Sequence, residues 1–106
     1  MLKMPNDTNF HEEARLMALL ANEKRLLIAG LLLDNELNVG ELAKRVGLSQ
    51  SALSQHLAKL REGNVVTTRR DAQTIYYSTT HYGVRKILAT LDEIYGQSAA
   101  ARRNAS

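Results

Sequence analysis

The stretch that most limits how this chain can fold lies between Asn38 and Gly63, NVGELAKRVGLSQSALSQHLAKLREG. Asn38, with Glu41 at the third helical position, forms a capping-box pattern, and Val39, Leu42, Ala43 and Val46 mark one face of a short helix that Gly47 stops. Ser49 caps a second helix that reaches Glu62 before Gly63 and Asn64 end it. So little chain separates the two that they must meet across a sharp turn, the helix-turn-helix arrangement. In the second helix Leu53, Leu57 and Leu60 fall on one side, toward a core, and Ser51, Ser54, Gln55, Ala58 and Lys59 fall on the other.

The flanking segments supply that core. Asn9 with Glu12 reads as a capping box for a first helix bearing Phe10, Ala14, Leu16, Met17, Leu19 and Leu20. Asn22 caps a second, apolar round much of its girth (Leu26, Leu27, Ile28, Leu31, Leu32, Leu33), as suits a central helix. After Asn64 the runs VVTTRR and TIYYSTT, separated by Asp71, Ala72 and Gln73, predict a β-hairpin with Ile75 and Tyr77 facing inward. Thr80 is placed to cap a last helix carrying Val84, Ile87, Leu88, Leu91, Ile94 and Tyr95, which Gly96 ends. The expected fold is mainly α with a small β-hairpin, one domain over residues 1–96, and a flexible tail over 97–106.

Composition removes several classes of function. The chain contains no cysteine, which excludes disulfides, thiolate metal sites and thiol chemistry within it. There is no apolar run of about eighteen residues or more, and MLKMPNDTNF lacks the apolar stretch and cleavage site of a signal peptide, so a cytoplasmic protein without membrane association is expected. No glycine-rich phosphate loop and no histidine with acid and nucleophile partners is recognisable, so an enzyme is disfavoured. His11, His56 and His81 lack ligand spacing, and Asp92 and Glu93 at adjacent positions face different ways, so neither a metal nor another cofactor is expected. Net charge is +3 and unevenly spread: residues 1–37 carry four basic and six acidic side chains, residues 38–79 six and three, residues 80–106 four and two.

A solvated helix face is ordinarily rich in Glu, Lys and Arg, whereas the outward face of the second helix in the motif carries small hydroxyl and amide groups near its N-terminus. Small side chains let a helix sit deep in the major groove, glutamine pairs bidentately with adenine, and a helix N-terminus attracts phosphate. Taken alone, this helix supports a DNA-reading face and a merely solvated face equally. The hairpin tips the balance, because Arg69 and Arg70 stand beside its tip, where a wing meets the phosphates flanking a major-groove site.

Through LANEKRLLIAGLL, VGELAKRVGLSQSALSQHLAKLREGNVV and RRDAQTIYYS the chain resembles the ArsR/SmtB-type winged-helix repressors over almost its entire length, most of all members without an obvious metal site. The resemblance implies a homodimer that binds a palindromic operator in double-stranded DNA and blocks transcription. It implies dimerisation through helices at about 9–21 and 81–95, involving Phe10, Met17, Leu20, Leu88, Leu91, Ile94 and Tyr95. Recognition then falls to Gln50, Ser51, Ser54, Gln55 and His56 on a helix at about 50–62, and to Arg69, Arg70 and Gln73 on a wing at about 65–79. Gln50 is the first choice for base readout; Lys44, Lys59 and Arg61 suit phosphate. His56 either donates to DNA or packs against the preceding helix. Ala43 and Lys44 stand about where metal-sensing members carry thiolates, and Asp71 and Ala72 where the wing often has glycine, which leaves the tip geometry open. A dimerisation or adaptor module that keeps the fold but reads no DNA is the alternative.

Overall fold

A computed structural model describes residues 9–96 of the chain; the tail expected over 97–106, like residues 1–8, lies outside them. The elements, in order, are α1 (His11–Leu20), α2 (Glu23–Asp34), β1 (Leu37–Asn38), α3 (Val39–Val46), α4 (Gln50–Glu62), β2 (Thr67–Asp71), β3 (Thr74–Ser78) and α5 (Tyr82–Tyr95).

Local hydrogen bonds begin and end most helices where the sequence places them. The Asn22 side chain accepts from Arg25 N at 3.0 Å, and the Ser49 hydroxyl accepts from Ala52 N at 3.1 Å. Asn38 and Glu41 close a full capping box: Asn38 Oδ1 accepts from Glu41 N at 2.8 Å, and Glu41 Oε1 from Asn38 N at 3.0 Å. Gly47 ends α3 in the left-handed region, φ 71°, which costs glycine little.

Two helix starts differ from expectation. At α1 the chain enters through Phe10, whose backbone (φ −97°, ψ 39°) is not the extended form a capping residue needs, and no side-chain cap bond forms. Asn9 instead accepts from His11 N at 3.0 Å. At α5 the cap is His81, whose Nδ1 accepts from Val84 N at 3.2 Å, and Thr80 is an exposed residue before it.

Thr79 is buried and ties three elements together. Its hydroxyl donates to the Val65 carbonyl and accepts from His81 N at 3.1 Å, while its own N–H donates to the Leu32 carbonyl at 3.0 Å. The base of the wing, the end of α2 and the start of α5 therefore meet at one residue.

The helices pack on α2, where Ile28, Ala29, Gly30, Leu31 and Leu32 are buried. Its first turn also holds two neighbours by their C-terminal carbonyls. Lys24 Nζ donates to Val46 O at 2.8 Å at the end of α3, and Arg25 donates through Nε to Leu19 O at 2.6 Å and through Nη2 to Ala18 O at 3.3 Å at the end of α1. Cations suit those positions because helix C-termini carry partial negative charge. Gly63 lets α1 close on the end of α4: a Cβ there would stand 2.2 Å from Leu19 Cδ1.

The hairpin belongs to a three-stranded antiparallel sheet of order β1-β3-β2. Leu37 lies opposite Tyr77 and Asn38 opposite Tyr76; on the other edge of β3, Arg69 lies opposite Tyr76 and Arg70 opposite Ile75. Leu37 and Tyr77 face the core. Ile75, expected to face inward, is 36% exposed; it is the second residue of β3, at the turn end of the hairpin rather than at its base.

Candidate nucleic-acid interface

The second helix of the helix-turn-helix, α4, buries Leu53, Leu57 and Leu60 against the core. At 3.6 residues per turn this turns Ser51, Ser54, Gln55 and Ala58 outward, and all four are exposed. No acidic residue occupies the first turn, and Lys59 and Arg61 stand in the last. The first-turn amides that Ser49 does not satisfy add partial positive charge at the same end.

Gln50 and His56 lie on opposite flanks of this face. Gln50 is exposed, with Nε2 4.0 Å from where a Cβ on Gly40 would stand, so its amide lies beside the first turn of α3. His56 is half-buried. Burial first, and the Arg25 guanidinium second, hold its imidazole below the usual histidine pKa. Half-buried, it differs from Ser51, Ser54 and Gln55, which are exposed.

Lys59 lines an open cleft of about 280 Å³ with Arg15 and Arg25, between α1, α2 and the end of α4. Arg61 and Lys44 are exposed.

The wing is more constrained than its exposure suggests. Ala72, with φ 57°, makes the left-handed turn in place of glycine, and Arg70 Nε donates to the Ala72 carbonyl at 3.1 Å, bracing the tip. Gln73 is exposed in the turn. Arg69 is already engaged: Nε and Nη2 each donate to a different Glu36 oxygen at 2.8 Å, and the guanidinium carbon lies 4.8 Å from the Tyr76 ring centroid. The hydrogen bond and the opposite charge lower the Glu36 pKa and raise that of Arg69.

The residues expected to join two copies divide into two groups. Leu20 and Leu88, at 3% and 6% exposure, belong to the core of the single chain: packing against α2 covers them before any partner arrives. Leu91 is partly buried, whereas Phe10, Met17, Ile94 and Tyr95 are 45%, 66%, 64% and 67% exposed.

Glu36 and Thr79 were missed by sequence reasoning. Glu36 carries no local mark because its partner lies 33 residues away. Thr79 stands beside Thr80 in a Thr-Thr pair whose sequence does not say which hydroxyl turns inward; a hydroxyl between strand and helix is the available signal. Among the described residues, no group of three or more His, Asp or Glu side chains is placed to hold a metal, and no helix is long and apolar enough to cross a membrane.

A helix-turn-helix with a polar outward face, followed by a hairpin wing, defines a winged helix-turn-helix protein, the architecture of DNA-binding transcriptional regulators. This chain belongs to the arsR family of bacterial regulatory proteins, whose model matches residues 22–68. It is 57% identical over 95 residues to the nodulation protein NolR of Rhizobium meliloti, an alignment covering 86% of this chain and 78% of NolR. It is 51% identical over 83 residues to the transcriptional activator HlyU of Vibrio cholerae, covering 78% and 77% of the two chains. The crystal structure of NolR from Sinorhizobium fredii superposes with a TM-score of 0.81 at 54% identity, covering 92% of this chain and all of that one. The chain is thus a DNA-binding transcriptional regulator.

Proposed function

We propose that two copies of this chain bind an imperfectly palindromic operator and repress transcription by occupying the promoter. The carrying observation is the exposed N-terminal half of α4, where Gln50, Ser51, Ser54 and Gln55 offer amide and hydroxyl groups beside a helix N-terminus with no acidic side chain. Gln50 reads base edges from the flank nearest α3, its flexible amide accommodating either of two bases. Lys44, Lys59 and Arg61 supply phosphate contacts, and Arg70 and Gln73 extend contact along the flank. The chain acts by binding rather than by catalysis, in the cytoplasm where the promoter lies.

The exposed apolar side chains of α1 and α5 support pairing. Phe10, Met17, Ile94 and Tyr95 stand in water in the single chain, and burying them against a second copy removes that apolar surface. A two-fold pair would present two α4 helices to successive major grooves about 34 Å apart.

Selection of duplex fragments by the purified chain tests this reading. The selected site should be a degenerate palindrome, and Gln50→Ala with Ser54→Ala should lower preference for it over random duplex by about five- to 150-fold, from the 1–3 kcal/mol of one good base contact. Equal binding of selected and random duplex at moderate salt would overturn it. Transcription in vitro from a selected promoter distinguishes repression from activation.

A further inference from the structure

We propose that Arg69 and Glu36 form a strap that sets the pose of the wing relative to the helix-turn-helix, so that Glu36 supports DNA affinity without touching DNA. The inference rests on the DNA-reading function proposed above.

The register places the strap. Directly opposed residues of antiparallel strands share a face, so Arg69, Tyr76 and Asn38 lie on the outer face of the sheet, and Glu36, two residues before Asn38, comes to the same side. Arg69 starts on β2, crosses the Tyr76 ring on β3, and ends in a two-bond clamp on the carboxylate beside β1. It spans all three strands. At the far end Asn38 caps α3, the first helix of the DNA-reading motif. The wing is thereby joined through side chains to the motif it must work beside.

The joint matters because β2 has little else. All five of its residues are exposed, and it is held to β3 by its backbone ladder and, at the base, by the Thr67 hydroxyl 3.4 Å from Ser78. Segments with few buried contacts open at low free energy. A bidentate guanidinium–carboxylate pair stacked on a ring is the geometry in which an exposed ion pair contributes most. That geometry also argues against Arg69 as a free cation for phosphate, since its charge is already paired and two of its five N–H donors are held by the carboxylate.

The two roles predict opposite results. If Arg69 binds phosphate, removing Glu36 releases a cation and tightens DNA binding, and removing Arg69 flattens the salt dependence of log K by about 0.9. If the pair is a strap, Glu36→Ala and Arg69→Met each weaken binding by about fivefold, the upper range for an exposed pair, with the salt slope parallel to that of the unmodified chain. The double variant is then no weaker than either single one.

Fluorescence anisotropy on a labelled duplex carrying a site selected by the unmodified chain, titrated at several salt concentrations, measures all three. In the free protein, amides of residues 67–78 should exchange hydrogen faster in both single variants. Tighter or unchanged binding by Glu36→Ala, or a flattened slope in Arg69→Met, overturns the strap. If the unmodified chain selects no site, the proposed DNA-reading function itself fails, and unchanged hydrogen exchange in the variants then overturns the strap separately.

Discussion

Replacing Thr79 by valine keeps the shape of the side chain and deletes its hydroxyl. That hydroxyl donates to the carbonyl of Val65, a residue only 2% exposed, and accepts from His81 N at the start of α5. In the variant the Val65 carbonyl loses this donor where water has little access, a loss of about 1–3 kcal/mol for a buried group left unsatisfied. The His81 amide is better placed to find water, so its bond contributes about 0.5–1.5 kcal/mol. Together Thr79→Val should destabilise the chain by about 1.5–4.5 kcal/mol, a large share of the 5–15 kcal/mol typical of a domain. Urea unfolding followed by circular dichroism, at one fixed protein concentration because assembly stabilises by mass action, measures this as a lower midpoint with unchanged slope. Thr80→Val, at the exposed neighbour, should stay within about 0.5 kcal/mol of the parent. A Thr79→Val variant as stable as the parent, or a Thr80→Val variant as damaged as Thr79→Val, would refute the assignment of Thr79 as the junction of wing, α2 and α5.

The pKa of His56 is lowered in the folded chain, so its neutral form is favoured there. Between the depressed folded value and the ordinary 6.5 the unfolded chain binds more protons; stability from this group is complete above 6.5 and declines as pH falls through that window. His56→Gln should flatten the stability profile across that interval, and an unaltered profile would show that the decline arises elsewhere. On one helix Leu88 lies in the core and Ile94 on the exposed surface proposed for pairing. Leu88→Ala should cost about 2–5 kcal/mol of unfolding free energy as a core truncation, whereas Ile94→Asp should leave the protomer folded and shift sedimentation from dimer toward monomer. An Ile94→Asp protein that stays dimeric would remove that end of α5 from the pairing surface.

Where a structural feature depends on neighbours three or four residues apart, the sequence alone determined most of it, the starts of α1 and α5 being the exceptions. Asn22, Asn38 with Glu41, Gly47 and Ser49 satisfy or end helices through bonds that close within one turn, and Leu53, Leu57 and Leu60 must share a face wherever α4 is placed. The outward set of Ser51, Ser54 and Gln55 follows from the same geometry. Tertiary structure decided what depends on distant partners. The two-residue strand Leu37–Asn38 is too short to show a period and exists because β3 offers it an edge. Arg69 reads as a free cation until the fold brings Glu36 to it from 33 residues away. The apolar stripes of α1 and α5 do not say which members meet their own core; only packing on α2 assigns Leu20 and Leu88 there and leaves Phe10, Met17, Ile94 and Tyr95 exposed. Helical periodicity names a face, and the surrounding chain decides how much of that face is already covered.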